Sequence, residues 1–291
     1  MTLPNWLKTN IQFKNTQKLI FKTMNVKALF FDIDGTLVSF KTHVIPQSAV
    51  DALRKAKRHG SKIFISTGRP MPFIINLKQI EDLIDGYITT NGALCIVNGR
   101  TICRHALLPE DVDTILATCR ELDAPCLVVG CEHITVLCHS QIVDEVLLVG
   151  LGLEGFKFAT LNRVLQEPIL QLTPFINAEQ EAELMGKLKA CTSGRWTESF
   201  TDITHINADK GKGLKALADH LCINIKDTIA FGDGGNDIPI LRQAGVGVAM
   251  GNASENVKQN ANYVTTHVDE DGIKKAMEKF GTNFSLKEKL G

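Results

Sequence analysis

Four times along this chain a short apolar run stops on a cluster of polar residues, and that repeated join limits the possible folds more than any other feature. Lys27–Phe31 (KALFF) ends in Asp32-Ile33-Asp34-Gly35-Thr36, and Lys62–Ser66 (KIFIS) runs into Thr67-Gly68-Arg69-Pro70. Gly86–Thr90 reaches Asn91-Gly92, and Asp227–Phe231 meets Gly232-Asp233-Gly234-Gly235-Asn236-Asp237. Each run has the length of a buried strand, and the glycines behind it break extended backbone. Between the first two runs, Val50, Leu53 and Ala56 recur at helical spacing within Pro46–His59, and Gly60 stands where such a helix would stop. A further helix-like stretch precedes Gly86. This alternation predicts an α/β fold, a doubly wound parallel sheet with helices on both faces. Ligands bind such sheets beyond the carboxyl ends of the strands, where all four polar clusters fall.

After Asn91-Gly92 the texture changes. Ala93–Val97 and Thr101–Arg104 flank Asn98-Gly99, a strong hairpin signal. Helix-like Pro109–Leu122, Gln141–Leu151 and Ala178–Ala190 then mix with strand-like Cys126–Gly130, Ile134–His139 and Ile169–Thr173. The parallel rhythm resumes after Trp196, with a helix at Leu214–Leu221, the strand Asp227–Phe231, and shorter strands at Val246–Met250 and Tyr263–Thr265. The expected organisation is a discontinuous core, residues 24–92 and 194–291, interrupted by an α/β module at 93–193. Asn91-Gly92 and Ser193-Gly194 are the expected hinges. Residues 1–23 carry Lys8, Lys14, Lys18 and Lys22 and no acid, and Met24 stands directly before the first strand. They are read as an extension outside the fold, with a short membrane-touching helix as the alternative.

Composition narrows the function. With 291 residues, 44% hydrophobic and 22% charged, the chain is an ordinary globular protein of about two domains. Lys plus Arg and Asp plus Glu number 32 each, so no global field draws it to nucleic acid or an anionic membrane. The most continuous apolar stretch, Val146–Leu153, contains two glycines and falls far short of the roughly 20 residues that cross a bilayer. The eight cysteines form no CxxC pair and sit mostly among apolar neighbours, which with the missing secretory signal points to the cytoplasm. Cys126, Cys131, His133, Cys138 and His139 are dense, but their spacing matches no paired-ligand zinc pattern.

The sharpest chemistry lies at Asp32 and Asp34, which point the same way at the ligand-binding edge. Acids grouped so closely repel, and an oxygen-ligated divalent cation, magnesium by expectation, would relieve the repulsion and bridge them to a phosphate. Asp233 and Asp237 bring further negative charge from another strand end.

Asp32-Ile33-Asp34-Gly35-Thr36-Leu37 resembles the signature of the haloacid-dehalogenase-like hydrolases. Thr67-Gly68-Arg69-Pro70, Lys210 within Asp209-Lys210-Gly211, and Gly232–Asp237 resemble the later signatures, in order. The variant is similar to the Cof-like branch through Thr90-Asn91-Gly92-Ala93, Asp202-Ile203-Thr204, Ala249-Met250-Gly251-Asn252-Ala253 and Asp271-Gly272-Ile273. Within it, the Gly234-Gly235 loop and Gly194-Arg195-Trp196 resemble bacterial hexose-phosphate phosphatases. The resemblance covers about residues 25 to 280.

It implies that Asp32 attacks phosphorus and forms an aspartyl-phosphate, while Asp34 protonates the leaving oxygen and later activates water. A second acid at Asp34 separates phosphatases from dehalogenases. It further implies that Mg2+ is held by Asp32, the backbone carbonyl of Asp34, and Asp233, and that Thr67, the Gly68 amide and Lys210 hold phosphoryl oxygens. Asn236 would contact phosphate or order the metal shell, and Asp237 would bind water or Lys210. Arg69 would approach substrate or brace its loop through an ion pair. His205 is read as structural, and Ser66 stands where alanine is common. The inserted module would be a cap that excludes water and chooses the leaving group. The implied activity is magnesium-dependent hydrolysis of small phosphorylated metabolites, chiefly hexose and pentose phosphates. A phosphosugar mutase, a pyridoxal-phosphate or flavin-pathway phosphatase, and a sensor without turnover are the alternatives.

Overall fold

The computed structural model describes residues 26–149, 152–153, 155–195 and 197–280. The extension at 1–23, Trp196, and the end of the expected helix at Leu151 lie outside the described residues.

The chain opens with β1 (Ala28–Phe31), β2 (Lys62–Ser66), β3 (Gly86–Thr89), β4 (Leu94–Val97) and β5 (Arg100–Arg104). There follow β6 (Cys126–Val129), β7 (Ile134–Leu137), β8 (Gln171–Pro174), β9 (Cys191–Arg195) and β10 (Thr201–His205), then β11 (Thr228–Gly232), β12 (Val246–Ala249) and β13 (Tyr263–Val264). They form an eight-stranded sheet in the order β13-β12-β11-β1-β2-β3-β4-β5 and a five-stranded sheet in the order β7-β6-β8-β10-β9. From β13 to β3 all neighbours are parallel. The five-stranded sheet is antiparallel throughout.

The longer helices are α1 (Gln47–Arg58), α2 (Pro109–Glu121), α3 (Ala178–Met185), α4 (Lys210–His220), α5 (Ile238–Gln243) and α6 (Gly272–Phe280). Side chains alternate along a strand, and here the alternation sorts helices to two faces. Leu29 and Phe31 share a cluster with Val50 and Leu53 of α1 and Ile273 and Met277 of α6. Ala28 and Phe30 share the other with Leu214 and Leu217 of α4 and Ile240 and Leu241 of α5. The smaller sheet covers one face with α2 and α3. Its other face, through Leu127, Val129 and Ile134, packs with Phe73, Ala93 and Leu94.

Several local expectations change. The helix-like stretch before Gly86 is two single turns, Met71–Phe73 and Glu81–Leu83, because Pro70 and Pro72 supply no backbone N–H. The hairpin β4–β5 extends the larger sheet and does not open the smaller one. Asn98 and Gly99 both take positive φ, which makes the turn between β4 and β5 tight, while the positive-φ turn at Thr90–Gly92 folds β4 back antiparallel beside β3. Ser193 and Gly194 are not a hinge: they lie inside β9, paired with Ile203 and Asp202 of β10, so the smaller sheet runs past Trp196 to His205. CTSGR is a half-buried edge strand with almost no apolar signal. Helix α3 stops at Met185, whereas α4 starts at Lys210, where the Asp209 side chain accepts from the Lys212 N–H. The expected helix from Gln141 is α-helical only to Val143 and widens to a π-helix at Asp144–Val149.

The backbone therefore crosses between the sheets once in each direction, at 105–108 and at 206–209, and the turn between β3 and β4 comes close to the second crossing. Thr90, Asn91 and Gly92 take φ of 52°, 54° and 96°. A Cβ on Gly92 would lie 2.4 Å from the Asp209 carbonyl oxygen, so only glycine fits there. His205, at the end of β10, stacks on His105 with ring centroids 6.1 Å apart.

Candidate active site

The polar clusters converge at the carboxyl ends of β1, β2 and β11. Asp32 is buried where β1 ends, and its N–H donates to the Phe231 carbonyl at 3.1 Å. Lys210, the first residue of α4, is fully buried and donates from Nζ to Asp32 Oδ1 at 2.8 Å and Asp237 Oδ1 at 2.6 Å. Burial works against that ammonium, but Asp237 and Asp32 outweigh it and hold the lysine above its ordinary value. The other Asp237 oxygen accepts from the N–H groups of Asp233 and Gly234 at 3.0 and 2.9 Å. Asp237 thus ties the β11 loop to Lys210.

Asp233 accepts from Thr36 Oγ1 at 2.9 Å and Asn252 Nδ2 at 3.0 Å. Burial, reinforced by Asp237, pushes its carboxyl up to about 6. Burial also raises Asp32 well above the usual carboxylate range, with Asp237 adding to the effect and Lys210 opposing it. Oxygens of Asp32, Asp233 and Asp237 lie within 4.8 Å of one another. Asp32 and Asp237 are buried and Asp233 is half-buried, and carboxylate oxygens grouped this closely are the ligands a hard divalent cation takes. The residues present fit such an ion. Gly35, at φ 77°, is the close approach that permits this: a Cβ there would sit 2.2 Å from Asp233 Oδ2.

Asp34 is turned elsewhere. Arg69 grips both of its oxygens, from Nε and Nη2 at 2.8 Å each, and donates from Nη1 to the Phe73 carbonyl at 3.1 Å. Of the two roles open to Arg69, this geometry is the ion pair. Thr67 Oγ1 accepts from the Arg69 N–H at 3.0 Å, and Gly68 lies against Asn91 and Asn236, which share a 2.9 Å hydrogen bond. Asp32, Asp34, Thr67, Gly68, Arg69, Asp233 and Asn236 line one cavity of about 750 Å³, whose wall includes Leu127, Gln171, Thr173, Phe200 and Asp202 from the smaller-sheet segment. Lys210 and Asp237 do not line it, and Lys210 reaches it through its bond to Asp32.

Sequence reasoning passed over Asn91 and Asn252 as functional side chains. Both stand at carboxyl ends of strands of the larger sheet, the same positional signal that marked the acids. Asn252 donates to Asp233 and to the Gly35 carbonyl, and so joins two of the polar loops. The Thr90 and Asn91 N–H groups donate to the Arg69 and Thr67 carbonyls at 3.1 Å each, tying the turn between β3 and β4 to the Thr67–Arg69 loop. No helix among the described residues is long and apolar enough to cross a membrane.

Residues 29–277 match the family of haloacid dehalogenase-like hydrolases. The structure of the HAD subclass IIB sugar phosphatase BT4131 is similar at 45% identity and a TM-score of 0.81, covering 88% of this chain and 99% of that one. The phosphatase BT1666 from Bacteroides thetaiotaomicron is similar at 35% identity and a TM-score of 0.78, covering 88% of this chain and 95% of that one. A phosphoglycolate phosphatase of Methanobrevibacter smithii is 26% identical over 263 residues, 88% of this chain and 99% of its own. With the signature residues in order along the chain and gathered at one sheet edge, this chain belongs to the haloacid dehalogenase-like hydrolases, as a phosphatase of their Cof-like branch.

Proposed function

We propose that this protein is a magnesium-dependent phosphomonoesterase that hydrolyses sugar phosphates through a phosphorylated Asp32. The observation that carries the reading is the close group of Asp32, Asp233 and Asp237, with Lys210 held between Asp32 and Asp237. Asp32 is the nucleophile, and Lys210 stabilises charge developing on it and on the phosphoryl oxygens. Thr67 and the Gly68 amide hold those oxygens, with Asn236 beside them. Mg2+, held by Asp32, Asp233 and the Asp34 carbonyl, would supply the positive charge that lets an anionic carboxylate approach an anionic phosphate.

Asp34 gives a proton to the leaving oxygen and then takes one from the water that frees Asp32. Arg69 positions that carboxyl, and one of its two bonds must open before Asp34 reaches the leaving group. The smaller-sheet segment acts as the cap. Its crossings are at 105–108 and 206–209, in place of the hinges expected at Asn91-Gly92 and Ser193-Gly194, and its closure removes water from the phosphoryl site. The similarity to sugar phosphatases supports the substrate class, as does a cavity lined from both sheets.

The test is phosphate release from hexose phosphates, pentose phosphates, pyridoxal phosphate and nucleotides, with magnesium and with a chelator. Magnesium-dependent release, strongest from sugars, is the expected result. An isomerised sugar phosphate without free phosphate would identify a mutase instead, and binding without turnover a sensor.

A further inference from the structure

The cavity wall contributed by the smaller sheet has a polar patch with one atom left over. Gln171 and Thr173 lie two apart on β8, and the β8–β10 register, Ile203 opposite Leu172 and Thr204 opposite Gln171, brings Asp202 to the same face. Gln171 is 3% exposed, and its Nε2 donates to Thr173 Oγ1 at 2.9 Å and Asp202 Oδ1 at 2.8 Å. Thr173 Oγ1 donates to the same Asp202 oxygen at 2.7 Å. An ionised carboxylate only accepts, so Asp202 dictates which end of the Gln171 amide turns toward it. The carbonyl end, Oε1, is buried in the cavity wall without a hydrogen-bond partner. Asn76, on the loop after β2, lines the same cavity, and its Oδ1 is also buried and unpartnered.

Buried acceptors with no donor are costly and rare, and each calls for an occupant that supplies one. Two acceptors from separate parts of the chain, in a cavity that also holds the acids, call for a ligand with several donors beyond its phosphate. Leu127 and Phe200 give the same wall apolar surface. Neutral hydroxyl groups on a carbon frame match both demands.

We infer that Gln171 and Asn76 are specificity-determining residues that accept hydrogen bonds from hydroxyls of the leaving group, and so select polyol phosphates over phosphates of hydroxyl-free alcohols. This rests on the phosphatase reading for the position of the phosphate. A site built to hydrogen-bond a hydroxyl rejects a ligand lacking it far more strongly than an apolar pocket rejects a misfit.

The experiment compares glucose 6-phosphate with phenyl phosphate in the wild type, Gln171→Met and Asn76→Ala. Two readouts are taken: the ratio of kcat/KM values with magnesium, and the ratio of calorimetric Kd values in an Asp32→Asn background. The expected result is a preference for the sugar phosphate that falls about 30-fold in Gln171→Met and about 10-fold in Asn76→Ala, in both readouts. Asn76 Oδ1 has no internal bond to lose, so its variant reports even where Gln171→Met folds poorly. Ratios within about twofold of wild type in every folded variant overturn the inference. A wild type that releases no phosphate from any compound overturns the phosphatase reading, while the Kd ratios still decide hydroxyl recognition.

Discussion

Arg69 holds Asp34 by both carboxylate oxygens, at 2.8 Å each, and is itself anchored to the Phe73 carbonyl. A lysine at this position keeps the charge but not the planar fork that makes two parallel bonds. Arg69→Lys is expected to lower kcat about tenfold with a smaller change in KM. Steady-state kinetics on one alkyl phosphate checks this, and an unchanged kcat would show that Asp34 needs no such grip.

Asp32→Asn should abolish turnover and the phosphorylated intermediate while leaving the fold intact. The amide keeps nearly the same shape but is no nucleophile. Circular dichroism establishes folding and intact-protein mass spectrometry looks for the added phosphoryl group. Normal activity in a well-folded variant would remove Asp32 from that role.

Lys210→Met removes the ammonium that pairs with the buried carboxylates of Asp32 and Asp237. Loss of one partner from a buried ion pair costs roughly 3–5 kcal/mol, so the chelated variant should melt well below wild type, and magnesium should recover part of the difference. Equal melting temperatures for the two chelated proteins would contradict the placement of that charge.

The raised carboxyl of Asp233 sets a pH dependence with a definite sign. Its value near 6 in the fold, against 3.8 ordinarily, means that the folded chain binds the proton more tightly than the unfolded one. The metal-free protein should therefore lose stability as pH rises from about 4 to about 6, and level off above, in this group's contribution. A divalent cation competes with that proton, so magnesium should raise the melting temperature more at pH 7.5 than at pH 5. Thermal melts at both pH values, with magnesium and with chelator, measure the difference, and equal shifts would count against Asp233 as a ligand.

Much of the larger sheet could be read in advance because its strands are buried on both faces. Ala28–Phe31 and Thr228–Gly232 are uniformly buried and, Thr228 aside, carry no polar side chain before the polar loops, and strand, loop and ligand edge follow from that. The smaller sheet was harder, since CTSGR at β9 is a half-buried edge with hardly an apolar residue. The allegiance of β4 and β5 depended on which neighbour the Asn98-Gly99 turn left open, a tertiary fact. Within the site, residue types and order exposed Asp32, Asp34, Lys210 and Asp233. The grip of Arg69 on Asp34 spans 35 residues, and the bond from Asn236 to Asn91 spans 145. No local pattern encodes such distances.

The place of β1 at the middle of its sheet has a consequence for how the chain is made. One of its edges meets β2 soon after synthesis begins, but the other waits for β11, about 200 residues later. Until the ribosome has released Thr228–Gly232, the nascent chain carries an open apolar edge at Ala28–Phe31, the kind of edge that pairs with foreign strands. The grouping of Asp32 with Lys210, Asp233 and Asp237 cannot form earlier either, because those three come from the late part of the chain. Fragments that stop short of β11 should therefore emerge both inactive and prone to aggregate.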